Sequence, residues 1–498
     1  MGSKLFRDAV HGYIRIPEGY CKDFVDTPEF QRLRYVEQTS MRILFPSARH
    51  DRFVHSLGTF HLGSQCCDVL ESESKEVIGA LKESGKWEGL RRTFEIACLL
   101  HDVGHAPFSH ALEYAFEATD YPISTLLTDL ASQHRAEKWD SSLNKDVDRE
   151  ERAKEHEIAS ACLVLSRFAE EIEKYGANPA LAARMIMGYT YEDAQGKLFE
   201  RMANVFIDLL NGEGTIDVDK LDYTVRDSWA SGVSNVVPDI QRLISSLRVC
   251  QNPDKSLQLA FHKSGLSAVQ QVFDARSHLF RWVFSHHKVV YGTELVQDAF
   301  DGMTKCPRND LLARMNLKEF CHTNGKSPFL LPSDNEVFAM LRDFSREDLP
   351  GAEAAKEWFS RKHTRKPLWK SYAEYRQNKM IKKILARIRG MDATRHKVDV
   401  KIKQKLNDLK ARDEWHEQLS SGSCKIIYAD ASARPMDPKS VYVDVGDGSP
   451  PVPYDNVFEG QAGACFDAPF FYIFVPITAK EERRKLLNDL TELVEKIF

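Results

Sequence analysis

Apolar positions along the chain recur mainly at helical spacing. The run TFEIACLLHDV (93–103) is almost continuously apolar, as expected of a helix buried on all sides. Gly104 and Pro107 interrupt it, and PFSHALEYAFEA reads as a restarted helix with proline in its first turn. HSLGTFHLGSQCCDVL (55–70) predicts a further helix. ASACLVLSRFAEEIEKYG predicts another that ends at Gly176. Residues 119–154 are polar and charged and read as a surface insertion. Residues 211–227 are a turn-rich entry into a helix, 266–300 are helical, 304–332 are loop-rich, and 338–370 are a charged helical pair. After about 420 the pattern changes. CKIIYADAS, SVYVDVGD and FFYIFVPI carry β-branched and aromatic residues at strand spacing, and the last twenty residues form an amphipathic helix. The prediction is a mainly α protein with a small α+β C-terminal region.

Length, charge and cysteines narrow the class. At 498 residues the chain is too long for one small core, and two or three domains are expected. The net charge of −5 excludes a uniformly basic nucleic-acid coat. It conceals one basic segment: residues 376–412 hold 13 Lys or Arg against 3 Asp, a local +10. Such a run is usually a solvated helix; a basic face for a regulatory nucleotide or nucleic acid is the alternative. Ten scattered cysteines without a CxxC pair read as reduced thiols. No apolar stretch reaches 18 residues, and the start lacks the apolar run of a signal peptide, so a cytoplasmic protein with no membrane partner is expected.

The candidate chemistry lies in HDVGHAPFSH (101–110). Histidine followed by aspartate at a helix end can converge on one ion, and imidazole with carboxylate suits Zn, Fe or Mn. The pair alone is common by chance. Together with DAVHGYI (8–14), DTPEFQRLRYVEQ (26–38), FPSARHDRFVHSLG (45–58), HE (156–157) and IDVDKLDYTVRD (216–227), the chain resembles the HD-domain phosphohydrolases. More closely, it resembles their deoxynucleoside triphosphate triphosphohydrolases, including the type joined to a sterile-alpha-motif domain and the bacterial dGTP hydrolases. The resemblance covers roughly residues 4–300 well and continues more weakly to the C-terminus.

The resemblance implies an HD-domain helical core and assigns roles. A divalent transition metal (Fe, Zn or Mn) would be held by His55, His101, Asp102 and Asp219, with Mg or Mn accompanying the substrate triphosphate. His156, paired with Glu113, would act at the phosphoryl centre, with His105 and His110 beside it. Arg52, Lys220 and Arg276 would answer phosphate charge. Gln38, Tyr223, Asp227 and His286 would contact substrate. Near the N-terminus, Lys4, Asp26, Gln31 and Arg34 match a guanine-nucleotide site at a subunit interface. Lys366 and Lys370 match a second regulatory pair. A homo-oligomer, dimer or tetramer, is implied.

The chain departs from this pattern in places. Ser285 and His286 stand where the animal enzymes carry a tyrosine and a glutamine, Thr39 replaces a leucine and Arg7 an asparagine. A smaller Ser285 would open room for a ribose hydroxyl. The expected domains are 1–300 (catalytic core), 301–419 (helical extension) and 420–498 (C-terminal subdomain). The expected activity is cleavage of a deoxynucleoside triphosphate, dGTP first, to nucleoside and triphosphate, regulated by a second nucleotide. Pool balance or antiviral and anti-phage depletion are the roles it would serve. The alternatives are hydrolysis of a ribonucleotide, monophosphate or cyclic nucleotide, and a nucleotide-sensing or nucleic-acid-binding protein with vestigial chemistry.

Overall fold

A computed structural model describes residues 2–495 apart from 134–142, 144–152, 193, 195, 196, 234–236, 308, 371, 379–391, 421, 430–435 and 459–469. The chain opens with an antiparallel hairpin, β1 (Ser3–Asp8) and β2 (Gly12–Pro17). The helical body follows: α1 (Arg52–Glu73), α2 (Trp87–Leu100), α3 (Ile123–Ser132), α4 (Glu155–Leu165), α5 (Pro179–Met187), α6 (Leu198–Asn211) and α7 (Val218–Ser231). Helix α1 packs on α2 and α7, and α4 packs on α5 and α3. These helices bury the run predicted from 93–103: Phe94, Ile96, Leu99 and Leu100 are fully enclosed. Each such side chain contributes about 1.5–3 kcal/mol by leaving water.

The hairpin β3 (Leu247–Gln251) and β4 (Leu257–His262) precedes α8 (Leu266–Leu279) and α9 (His287–Thr304). Beyond them lie α10 (Asp334–Phe344), α11 (Ala352–Ser360), β5 (Lys366–Pro367), α12 (Asp392–Lys410), β6 (Lys425–Ala429), β7 (Tyr442–Asp444), β8 (Val452–Pro453), β9 (Phe470–Val475) and α13 (Lys480–Glu495). One sheet has the order β5-β9-β6, all antiparallel. The other has the order β3-β4-β7-β8, in which β7 runs parallel to β4. The C-terminal chain therefore contributes strands to both sheets.

A smaller apolar core joins Trp369, Ile402, Trp415, Phe471 and Leu486 to Val290, Tyr291 and Leu295 of α9. Tyr291 stacks on Phe474 at 4.5 Å, and Lys425 donates to Glu294 at 2.6 Å. These contacts press strand β6 against α9. Among the described residues no helix is long and apolar enough to cross a membrane.

Several expected elements are corrected. The segment after Pro107 is not an α-helix: it forms 3-10 turns at Ser109–Ala111 and Glu113–Phe116, with Phe108 and Ser109 at positive φ (57° and 53°). Residues 123–132 of the expected surface insertion are core helix α3, burying Leu126, Leu127 and Leu130; most of 134–152 lies outside the described residues. The helix expected to reach Gly176 breaks after Leu165 and resumes as Ala169–Lys174. The basic segment is described only in part. Its helix α12 buries Ile402, Leu406 and Leu409, so this portion packs on the small core as well as facing solvent.

Candidate metal centre and active-site cavity

His55 lies in the first turn of α1, which Asp51 caps by accepting the Val54 amide at 3.0 Å. His101 and Asp102 follow the end of α2, and Asp219 lies in the first turn of α7. Nε2 of His55 and Nε2 of His101 face each other at 3.2 Å. Asp219 Oδ1 is 2.9 Å from the first and 3.7 Å from the second. Asp102 Oδ2 is 3.7 and 3.6 Å from the same two nitrogens.

The other ring nitrogens set the tautomers. His55 Nδ1 lies 2.7 Å from an Asp222 carboxylate oxygen, and His101 Nδ1 lies 2.9 Å from the Cys98 carbonyl. Both neighbours accept only, so each Nδ1 carries a hydrogen, and a cation bound between the rings would take the Nε2 lone pairs; without one, Asp219 favours a proton on His55 Nε2 as well. The two Nε2 atoms and Asp219 Oδ1 gather about one point, with Asp102 Oδ2 at its edge. Donors about 2.0–2.2 Å from a common ion stand roughly 3 Å apart, so this set fits a divalent cation. Burial opposes an imidazolium at His55, yet the Asp219 and Asp222 carboxylates push its pKa up to about 10. The point demands positive charge, which a proton or a divalent ion can supply. Burial also works against the Asp219 and Asp102 carboxylates. His101 and His55 nonetheless hold Asp219 well below the usual range, and Arg52, at 2.7 Å, holds Asp102 below it.

Asp222 is the residue that motif reading missed. Besides His55 it meets His11 Nε2 at 2.6 Å and accepts from Arg226 at 2.8 Å, and Arg226 donates to Asp8 at 2.8 Å. This buried relay orients His55 from behind. Its signal was present: Asp222 and Arg226 stand four apart on one helix face, and Asp8 and His11 belong to DAVHGYI. Gly58 lets α1 approach it, since a Cβ there would stand 1.9 Å from Asp222 Oδ1.

A second cluster stands beside the first. His156, in the first turn of α4, presents Nδ1 to Glu113 at 2.6 Å, and His110 Nδ1 lies 3.2 Å from the same oxygen. The His105 ring stacks on His156 at 4.2 Å, and both its nitrogens are buried without a hydrogen-bond partner. Gly104 permits this approach: a Cβ would come within 2.4 Å of the Ser160 amide of α4. Burial drives His105 well below its ordinary pKa and lowers His110. Burial opposes the Glu113 carboxylate, but His110 and His156 hold it well below its usual range.

Both clusters open into one cavity of about 550 Å³. Arg52 is buried in its wall between Asp102, Ser109 Oγ (3.0 Å) and the Gln38 carbonyl (2.9 Å). Lys220 donates to the Gly212 carbonyl at 3.0 Å and pairs with Asp217. Arg276 donates to the Tyr223 hydroxyl at 2.8 Å, and Asp227 is held by His50 at 2.6 Å. Three wall atoms, Gln38 Oε1, Thr39 Oγ1 and Asp227 Oδ2, are buried without a partner. Lys154, which the motifs did not single out, also lines the cavity. The far wall is apolar: Phe280, Phe284, Val289, Val290 and residues 426–428 of strand β6.

The HD domain family matches residues 52–186, the stretch that carries His55, His101, Asp102 and His156. Residues 52–186 are an HD domain. The chain is also related to deoxynucleoside triphosphate triphosphohydrolases. It is 28% identical over 309 residues to the deoxynucleoside triphosphate triphosphohydrolase SAMHD1 homolog of Dictyostelium discoideum, covering 60% of this chain and 49% of that one. It is 30% identical over 300 residues to deoxynucleoside triphosphate triphosphohydrolase SAMHD1 of Gallus gallus, covering 57% of this chain and 42% of that one. The chain thus spans about half the length of these curated relatives. A crystal structure of a hypothetical protein from Aquifex aeolicus shares the fold, with a TM-score of 0.61, 21% identity and coverage of 98% of this chain and 100% of that one. The HD domain and its His/Asp cluster make this a candidate divalent-metal site.

Some expected residues lie away from this cavity. His286 stands outside the cavity wall and caps α9, its Nδ1 accepting the Lys288 amide at 3.2 Å. Ser285 is buried and is not among the residues lining the cavity, and its carbonyl accepts from Tyr472 at 2.9 Å. Lys4 pairs with Asp26 at 2.6 Å, and Arg34 donates to Gln31 at 2.8 Å while lying over the Phe53 ring. These four lie on the N-terminal side, away from the cavity lining. Lys366 lies near Lys288, Lys370 and Arg483, and burial together with Arg483 depresses its pKa. Burial, His286 and Lys370 push His287 down to about 3, marking the same concentration of positive charge.

Proposed function

We propose that this chain is a metal-dependent phosphohydrolase that cleaves a deoxynucleoside triphosphate to deoxynucleoside and triphosphate. The observation that carries this reading is one cavity graded from charge to apolar surface. The quartet His55, His101, Asp102 and Asp219 would hold Fe, Zn or Mn, and a bound ion supplies Lewis acidity to a phosphoryl oxygen. Arg52 stands beside that point and answers charge developing on phosphate. His156, oriented by Glu113, would hold or deliver the proton, with the buried His105 ring stacked against it and His110 on the same carboxylate. Lys220 and Lys154 extend positive charge along the wall toward the rest of a triphosphate, with Mg or Mn accompanying it. Gln38, Thr39 and Asp227 present unsatisfied oxygens where a sugar hydroxyl would donate, beside Tyr223 and Arg276. The apolar wall suits a base.

The test is product analysis. Purified chain is incubated with each of the eight nucleoside triphosphates and Mn²⁺ or Mg²⁺, with and without a second nucleotide. Tripolyphosphate and a deoxynucleoside are expected, dGTP being the first candidate. Diphosphate with monophosphate as products, or no reaction with any of the eight, would overturn the reading. Faster turnover of ribonucleotides would move the substrate class alone. A regulatory nucleotide is part of the proposal. The Lys288, Lys366 and Lys370 cluster and the Lys4, Asp26, Gln31 and Arg34 group are its candidate sites, in a dimer or tetramer. Rate enhancement by the second nucleotide, lost in Lys366→Ala with Lys370→Ala, tests it.

A further inference from the structure

The turn that presents His110 to the cavity is backbone of an unusual kind. Phe108 and Ser109 both lie in the left-handed region, φ 57° and 53°, where residues with a Cβ are strained by roughly 1–3 kcal/mol each. Such a turn persists only when its surroundings hold it. On the opposite side of Arg52 runs the segment that carries Gln38 and Thr39. The buried Asp334, in the first turn of α10, reaches both. One carboxylate oxygen accepts the Phe108 amide at 2.6 Å and the other accepts the Glu37 amide at 2.9 Å. Between those two points Ser109 Oγ donates to the Glu37 carbonyl and accepts from Arg52, whose other nitrogens donate to Asp102 and the Gln38 carbonyl. Asp334 and Glu37 are not part of the cavity wall; Phe108, Ser109, Arg52 and Gln38 are.

We propose that Asp334 is a positioning residue of the active site: its carboxylate clamps the 37–38 and 108–109 segments together and thereby sets where Arg52, Gln38 and His110 stand. Helix α10 lies outside the HD domain, so this clamp ties the catalytic geometry to the helical extension. The helix supplies it from a fixed end, because Ser333 and Glu336 form a capping box at the same turn. A carboxylate suits the task because it accepts at both oxygens, whereas an amide side chain would offer a donor to one of the two N–H groups.

The kinetic half of the test rests on the phosphohydrolase reading; the exchange half does not. Full-length Asp334→Ala, Asp334→Asn and Glu336→Ala are compared with wild type at pH 8. There the carboxyl, which burial pushes up to about 7, is ionised. Asp334→Ala is expected to lower kcat/KM about 100-fold, the scale of a displacement of about 1 Å, with metal content unchanged. Asp334→Asn should fall between it and wild type. Glu336→Ala, which removes the helix cap and the ion pair to Arg314 but leaves Asp334 in place, should lower Tm yet keep kcat/KM within about twofold. Amide hydrogen exchange at Glu37 and Phe108 should quicken at least about tenfold in Asp334→Ala and stay protected in Glu336→Ala. If Asp334→Ala does not fold, Asp334→Asn carries both comparisons. Unchanged exchange at both amides, or kcat/KM within about twofold of an active wild type, would overturn the clamp. A wild type inactive on every nucleotide would sink the proposed function, while the exchange data would still decide the clamp.

Discussion

Two histidine clusters lie side by side in this protein, and their surroundings treat the same side chain in opposite ways. At His55 two carboxylates outweigh burial and raise the proton affinity. At His105 no carboxylate makes a hydrogen bond; burial and the neighbouring Arg52 depress it. The first cluster is arranged to receive positive charge; in the second, His105 and His110 are shifted toward the neutral imidazole, and His110 and His156 share one carboxylate, Glu113. What separates the two rings is the number of carboxylates within hydrogen-bond reach: two at His55 and none at His105.

The sharpest way to test the contrast is to delete one cluster at a time. His101→Ala with Asp102→Ala should remove bound metal, read by elemental analysis, and cost at least about 10³-fold in turnover, the several kcal/mol a Lewis acid supplies. His156→Ala or Glu113→Gln should instead keep the metal and lower kcat about 10²-fold. Metal loss in Glu113→Gln would merge the two clusters into one site and break the comparison. Asp222→Asn removes the carboxylate behind His55 without touching the ligand set. Metal affinity, followed by competition with a chelator, should drop about 10- to 100-fold.

The smallest effect is one of stability. The folded chain binds a proton at His105 less readily than the unfolded chain, whose imidazoles titrate near 6.5. As pH falls below about 6.5 the unfolded state takes up that proton and the folded state does not, so stability is lost on acidification and retained above. Thermal melts of wild type and His105→Gln between pH 8 and 5.5 should diverge. The wild type should lose up to about 1.4 kcal/mol more per pH unit below 6.5. Parallel curves would place His105 in contact with water.

The spacing of apolar residues made α1, α2 and the closing helix readable, because burial on a helix repeats every three to four residues. HDVGHAPFSH was readable as chemistry, and its neighbours in the resemblance marked His55, His156 and Asp219. The turn after Pro107 was misread because PFSHALEYAFEA has helical periodicity. Only contacts from elsewhere in the chain, Asp334 to Phe108 and Arg52 to Ser109, account for its left-handed residues. Residues 123–132 were taken for surface since their polar flanks masked a stripe of Ile123, Leu126, Leu127 and Leu130. Ser285 and His286 were matched to sugar-contacting positions by the resemblance, and the path of the chain into α9 sets both outside the cavity lining.

By itself the sequence determined what is local or repeated: a helical body, an α+β end, a basic segment within an acidic chain, and which side chains are candidates for metal and proton chemistry. Tertiary structure decided what depends on distance between remote residues. It brought the Nε2 atoms of His55 and His101 to 3.2 Å, chose Asp222 to orient one of them, and set strand β6 against α9 as a wall of the cavity. It also joined Asp334 to residues 226 and 297 positions away in the chain. Tautomer, proton affinity and strain are properties of fields and contacts in three dimensions, and no spacing along a chain encodes them.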